Sequence, residues 1–344
     1  MRTILAAEHA RHRPEQEFSR GRFVPAFEGP QRVDSIVEAL RDAQLGPIEA
    51  PEEFPLEPIL RIHGPAYVDF LERAHRDWVA LGRSGDAYPV AWAIRGLRND
   101  RVPQSLDGQL SHYSFDFASP ITAGTWVAAR SAANAALTGA RLVGSGAEPV
   151  VFGLCRPPGH HAASDYFGGY CYLNNAAVAA QSLLDEGMER VAVLDVDYHH
   201  GNGTQSIFYR SREVLFVSIH ADPATDYPYF LGYADETGEA EGEGCNLNLP
   251  LARGTDWSRW GAALDRACQA TTAFGAQAIV VSLGLDTFRS DPLSSFQLDS
   301  ADYLKIGARI ARLARPTLFL LEGGYAVREL GLNAVNVLRG FEGG

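Results

Sequence analysis

No stretch of the sequence approaches the roughly 18 uninterrupted apolar residues that a membrane span needs. The opening run Met1-Arg2-Thr3-Ile4-Leu5-Ala6-Ala7-Glu8-His9 turns polar too early for a secretory signal, so a cytoplasmic protein is expected. Cysteine is scarce: Cys155, Cys171, Cys245 and Cys268 form no C-x-x-C pair and no zinc-finger spacing, and they read as reduced thiols packed as small apolar groups. Positive charge is in short supply, with 30 basic residues against 42 acidic and a net charge of −12. That balance disfavours nucleic acid as a partner and draws cations toward the surface, although an acidic balance also serves solubility alone. Internal repeats, low-complexity tracts and obvious linkers are absent, and residues 1–344 read as one domain.

What is present is a globular composition, 46% hydrophobic, arranged in alternating short apolar runs and amphipathic stretches. Thr3-Ile4-Leu5 reads as a first strand, Glu8 to Pro30 as a polar surface loop, and Val33 to Leu45 and Tyr67 to Leu81 as helices, the second introduced by the turn His63-Gly64-Pro65. From Gly82 to Pro120 the pattern dissolves into Gly, Pro, Ser and Asp with interleaved aromatics, and an irregular segment that long inside a compact domain is normally functional or packed on a partner. Helices are then expected at Ala123–Leu137, Asn174–Leu184, from near Gly203, at Trp257–Phe274, at Ala301–Leu313 and at the end of the chain. Strands alternate with them at Val150–Cys155, from Val191, and at Val214–His220, Ala278–Leu283 and Thr317–Leu321. Such alternation predicts an α/β fold with a doubly wound parallel sheet, in which ligands bind at the carboxyl ends of the strands.

Those ends carry the chemistry. The apolar run from Val191 stops at Asp195-Val196-Asp197-Tyr198-His199-His200-Gly201-Asn202-Gly203, two carboxylates and two imidazoles within six residues, a density that burial tolerates only with a cation or charged partners. Asp197 and His199 stand two apart, so in extended backbone they point the same way and can share one ion. Asp286, at the end of another strand, would complete a three-ligand Asp-His-Asp set with an open position for water. Zinc fits that set, and iron(II), cobalt(II) or manganese(II) would also suit it. His160 and His161, at the end of the Val150 strand, suit acid–base work, with Asp195 and Asn202 as candidate orienters that split the pair into unequal roles. Tyr325, between flexible glycines and the last helix, can aim a phenol at a developing oxyanion. Taken together, these residues describe metal-assisted hydrolysis of an amide.

The motifs Arg156-Pro157-Pro158-Gly159-His160-His161, Gly169-Tyr170-Cys171-Tyr172-Leu173-Asn174-Asn175, Asp195 to Gly203, Leu285-Asp286-Thr287 and Leu321-Glu322-Gly323-Gly324-Tyr325 resemble those of the histone deacetylase superfamily, most closely its bacterial acetylpolyamine amidohydrolases. The resemblance spans nearly the whole chain. It implies an arginase/deacetylase fold and one zinc ion on Asp197, His199 and Asp286. It further implies His161 as general base, His160 as electrostatic partner or acid, Tyr325 polarising the carbonyl, Asp195 orienting His160, and Asn202 orienting His161. Gly169, Tyr170 and Tyr227 match a tunnel lining, and Arg32 matches a residue of an internal acetate pocket. Asp195, Asp197, His199, Ser218 and Ile219 match a structural potassium site. The segment 82–120 is similar to an insertion that dimerises such enzymes and narrows their tunnel; Glu17 matches an acidic rim residue, and Asp116 stands two positions before a second one. The run from Asp235 to Glu243 reads as solvated surface. The activity implied is deacetylation of N-acetylated polyamines or small acetylated amines by a homodimer. The alternatives are a bacterial acyl-lysine protein or peptide deacetylase and, from a different class, a silent binder of acetylated amines.

Overall fold

The computed structural model describes residues 1–344. Its strands are β1 (Arg2–Leu5), β2 (Gln16–Ser19), β3 (Arg22–Pro25), β4 (Ile48–Glu49), β5 (Val150–Leu154), β6 (Val191–Asp195), β7 (Val214–Ala221), β8 (Asn246–Leu251), β9 (Ala278–Leu283) and β10 (Thr317–Leu321). The α-helices are α1 (Gln31–Asp42), α2 (Glu57–Leu60), α3 (Pro65–Ala80), α4 (Leu106–His112), α5 (Thr125–Gly144), α6 (Asn175–Asp185), α7 (Asn202–Phe208), α8 (Trp257–Phe274), α9 (Ser300–Ala311) and α10 (Val327–Glu342). Eight strands form one sheet in the order β4-β1-β5-β10-β9-β6-β7-β8, and every pairing within it is parallel. None of the helices is long and apolar enough to cross a membrane.

The period of two in the strands divides the core between the two faces of the sheet. Val191, Val193, Val280, Leu318 and Leu320 pack beneath α5 and α6, whose small residues Ala132, Ala136, Ala176 and Ala180 allow close approach. Their neighbours Ala192, Leu194, Ile279, Val281, Phe319 and Leu321 face the other way, toward Val33 and Ile36 of α1, Leu264 of α8, Ile306 of α9 and Leu338 of α10. A third cluster joins Tyr67, Phe70 and Leu71 of α3 to Tyr113, Phe167 and Tyr172, and seats the segment around α4 on the body of the protein. Because β5, β10, β9, β6 and β7 are consecutive in the sheet, the five segments leaving their carboxyl ends emerge side by side.

Besides the short elements β4 and α2, which the sequence reading does not place, the structure departs from it as follows. The expected loop Glu8–Pro30 contains the hairpin β2-β3, turned by Arg20 and Gly21 with φ of 48° and 83° and clasped by Phe18 and Phe23 at 5.5 Å. Both strands are too short and polar to stand out. Segment 82–120 carries α4, N-capped by Ser105, whose side chain accepts from Gly108 N–H at 3.2 Å. Helix α5 runs seven residues past Leu137: Thr138 satisfies its hydroxyl on Asn134 O at 2.8 Å, and Gly139 lets the helix pack closely on Leu318, where a larger residue would collide. Strand β8 escapes a reading by apolar runs because it alternates Asn246, Leu247, Asn248, Leu249 and carries Pro250 just before its last residue, as an edge strand can. Phe152, fully buried at the centre of β5, tests the core: Phe152→Ala should cost about 3–5 kcal/mol, read from urea unfolding against Phe18→Ala, whose ring is 40% exposed and should cost far less.

Candidate active site and metal centre

The ligand atoms of Asp197, His199 and Asp286 all lie within 4.8 Å of one another. Ligands about 2 Å from a tetrahedral ion sit roughly 3.3 Å apart, and His199 Nδ1 is 3.0 Å from Asp286 Oδ2 and 3.3 Å from Asp197 Oδ1. The carboxylates are aimed by backbone: Asp197 accepts from the N–H groups of His199 at 2.9 Å and Gly323 at 2.8 Å, and Asp286 accepts from that of Tyr198 at 2.8 Å. Gly323 is required here, since a Cβ would sit 2.6 Å from an oxygen of both Asp197 and Asp286. Both carboxylates are wholly buried. Burial, then the charge of Asp197, pushes Asp286 up to about 7. Burial alone would raise Asp197 too, but the charges on His160 and His199 hold it well below the usual carboxylate range. His199 rises to about 10, its burial outweighed by hydrogen bonds to the two carboxylates. Two buried carboxylates and an imidazole this close call for a cation, and a divalent ion fits the set.

The histidine pair is differentiated. His160 Nδ1 lies 3.0 Å from Asp195 Oδ2, and His161 Nδ1 lies 2.6 Å from Asn202 Oδ1, with the two rings 4.1 Å apart. Burial opposes charge on His160, but Asp195 and Asp197 prevail and raise it to about 10. Burial, reinforced by the cations of His160 and His199, lowers His161 well below its ordinary value. An amide oxygen at Asn202 accepts from Nδ1–H, so neutral His161 keeps Nε2 bare as a base.

One cavity of about 410 Å³ gathers His160, His161, His199, Gly169, Tyr170, Tyr227, Glu17, Asp116 and Tyr325. Tyr170 stands 5.6 Å from Tyr325, and Tyr227 lies edge-on to His161 at 5.2 Å while its face stacks on Phe115. Glu17 is buried rather than exposed at a rim; it accepts from Tyr170 Oη–H at 2.8 Å and from Phe27 N–H at 3.1 Å, and burial outweighs these bonds to push it up to about 7. Asp116 accepts from Gly169 N–H at 2.7 Å and Tyr227 Oη–H at 2.8 Å. Burial holds the Tyr325 phenol protonated. Beneath it Arg32 is fully buried, donating to Glu28, to Gly324 O at 2.6 Å and to Glu322 O, which fixes the Gly-Gly-Tyr turn. Asp195 and Ser218 are register partners on β6 and β7, both buried, with Ile219 next to Ser218.

The histone deacetylase domain family matches residues 26–341. Acetylpolyamine amidohydrolase 2 of Pseudomonas aeruginosa is 55% identical over 343 residues, covering 100% of this chain and 99% of its own. The acetylpolyamine amidohydrolase of Mycoplana ramosa is 47% identical with 100% of both chains covered. The crystal structure of an acetylpolyamine aminohydrolase from Burkholderia pseudomallei superposes with a TM-score of 0.94 at 38% identity, over 99% of this chain and 98% of that one. The chain belongs to the histone deacetylase family. It is a deacetylase, a hydrolase of linear amide bonds, on an arginase/deacetylase fold.

Within this deacetylase, three supports escaped the sequence reading. Asp291 accepts from the N–H of Tyr325 at 2.6 Å, holding the phenol's backbone, and a lone Asp in a loop gives no signal for that role. Glu322 Oε2 accepts from the N–H of Gly159 and His160, seating the histidine pair on β10. Glu236, within the expected solvated run 235–243, is half-buried and accepts from Gln205, Asn248 and Gly232 N–H, so that part of the expectation is corrected. His160, Cys171 and Glu322 also converge, but the Glu322 oxygens are already engaged and burial keeps Cys171 a thiol. Gly323→Ala should cut divalent binding more than about tenfold, measured as metal per chain after dialysis against limiting zinc. Asn202→Asp would place a carboxylate on His161, raise its pKa, and move the acid limb of kcat/KM to higher pH in a rate profile.

Proposed function

We propose that this deacetylase removes acetyl groups from N-acetylated polyamines or small acetylated amines with the help of zinc, releasing acetate. The observation that supports this most is the meeting, in one narrow cavity, of the Asp197-His199-Asp286 set with a neutral imidazole at His161 and the phenol of Tyr325. A divalent cation held by those three residues supplies Lewis acidity to the acyl carbonyl and lowers the pKa of a water molecule. His161, through Nε2, takes the proton of the attacking water. Tyr325 donates its O–H to the carbonyl oxygen as charge gathers there, a contact worth about 10²–10³ in rate for oxyanion donors. His160, held cationic by Asp195, keeps the region positive while the histidine pair returns a proton to the leaving amine. Tyr170 and Tyr227 flank a passage that suits a slim chain, and the carboxyl groups of Glu17 and Asp116 beside it are acceptors that suit an amine.

In the same reading, Asp195, Asp197, His199, Ser218 and Ile219 hold a structural potassium ion, for which the adjacency of Asp195 and Ser218 is the support. The 82–120 segment serves as the homodimer contact: Val90, Ile94, Leu97 and Val102 expose apolar side chains there. The four free thiols accord with a reducing cytoplasm. Zinc-loaded protein should release acetate from acetylputrescine or acetylcadaverine, and Tyr325→Phe should lower kcat about 10²–10³-fold with little change in KM. Failure on every acetylated diamine, together with good turnover of acetyl-lysine peptides, would replace this reading with a peptide deacylase.

A further inference from the structure

Tyr198 lies between two of the ligand residues, and its ring stands edge-on to that of His199 at 5.0 Å while its hydroxyl reaches elsewhere. Its N–H holds Asp286, while its ring is buried edge-on against Phe296 at 4.7 Å. Its hydroxyl crosses to the segment that leaves β7, donating to Asp226 Oδ1 at 2.7 Å beside Ser295 Oγ at 2.9 Å. Asp226 is 9% exposed; its other oxygen accepts from Thr225 Oγ1–H at 2.7 Å, and Arg253 stands 3.9 Å away. A buried phenol and a buried carboxylate each need a partner, and here each is the other's. The residue after Asp226 is Tyr227, the passage wall, whose phenol Asp116 holds from the opposite side. The wall, whose ring packs on Phe115 and His161, is thus held also at its hydroxyl by Asp116 and at its backbone, through Asp226, to the turn that carries the metal ligands. Beyond it the side chains of Tyr229 and Phe230 are exposed, and the turn is closed by Tyr229 N–H on Asp226 O at 3.1 Å.

We propose that the Tyr198–Asp226 hydrogen bond is a positioning element that seats the Tyr227 wall and so sets the preference for slim acetylated amines over bulkier acetyl-lysine segments. The inference rests on the substrate reading above. Asp226 lines the cavity beside Tyr227, and the Tyr198 hydroxyl acts on that wall through Asp226, so loosening the pair should weaken grip on a thin chain and leave the chemical step intact.

The test compares Tyr198→Phe, Asp226→Ala, their double variant and Asp226→Asn, which retains an acceptor oxygen. Each is assayed for kcat and KM on acetylputrescine and on an acetyl-lysine peptide, with bound zinc and thermal unfolding measured alongside. Asp226→Ala and Tyr198→Phe should each raise KM for acetylputrescine about tenfold, with kcat within about twofold, and shift selectivity toward the peptide by a similar factor. The double variant should match the single ones, as residues acting through one bond do, and Asp226→Asn should stay near the parent. Because Asp226 also lines the cavity, the match between Asp226→Ala and Tyr198→Phe, which keeps the N–H on Asp286, is decisive. Selectivity unmoved in Asp226→Ala, a fall in kcat at unchanged KM, or additive effects in the double variant would overturn the proposal. A parent enzyme inactive on all acetylated diamines would instead overturn the substrate reading, and the two failures are thereby distinguished.

Discussion

Two carboxylates and an imidazole forced together in a dry site are the constraint on which the rest of this molecule depends. Asp197 and Asp286 are fully buried at the ends of strands β6 and β9, inside a sheet covered on both faces. Like charges so placed repel, and the rise of Asp286 toward about 7 is the record of burial and of that repulsion. The fold does not relieve the conflict by moving the groups apart. It fixes them, with backbone N–H groups from Gly323, His199 and Tyr198 holding the carboxylate oxygens in place. An arrangement so costly without a counter-charge, and so rigidly maintained, is one shaped to hold a cation.

The surrounding chemistry follows from that centre by differential hydrogen bonding. Two adjacent histidines with similar burial diverge because one faces a carboxylate and the other an amide. Asp195 makes His160 a standing cation, and that cation in turn helps keep His161 neutral. The two rings thus differ because Asp195 and Asp197 stand beside one and the Asn202 amide beside the other. The cavity walls obey the same logic, since Glu17 holds Tyr170 and Asp116 holds Tyr227.

Most of this was legible in the chain because the functional residues sit at strand ends, where apolar runs stop abruptly. Strands β9 and β10 and helix α8 fall where their periodicity places them, and parallel order explains why Asp197 and Asp286, 89 residues apart, meet on neighbouring strands. Elements that escaped had weak local signals: the polar hairpin β2-β3, the Asn-Leu alternation of β8, and a helix α5 prolonged through Thr138 and Gly139 by packing against Leu318. The supports around the site escaped for another reason. Asp291 and Glu236 act through backbone N–H groups, and Tyr198 through a carboxylate 28 residues away, relations that exist only once the chain has folded.

The most direct measurement is anomalous diffraction at the zinc edge on crystals grown with stoichiometric zinc. The account predicts one strong peak per chain, about 2.0–2.2 Å from His199 Nδ1 and from an oxygen of both Asp197 and Asp286. Absence of that peak, with acetate still released at full rate after exhaustive chelation, would contradict it.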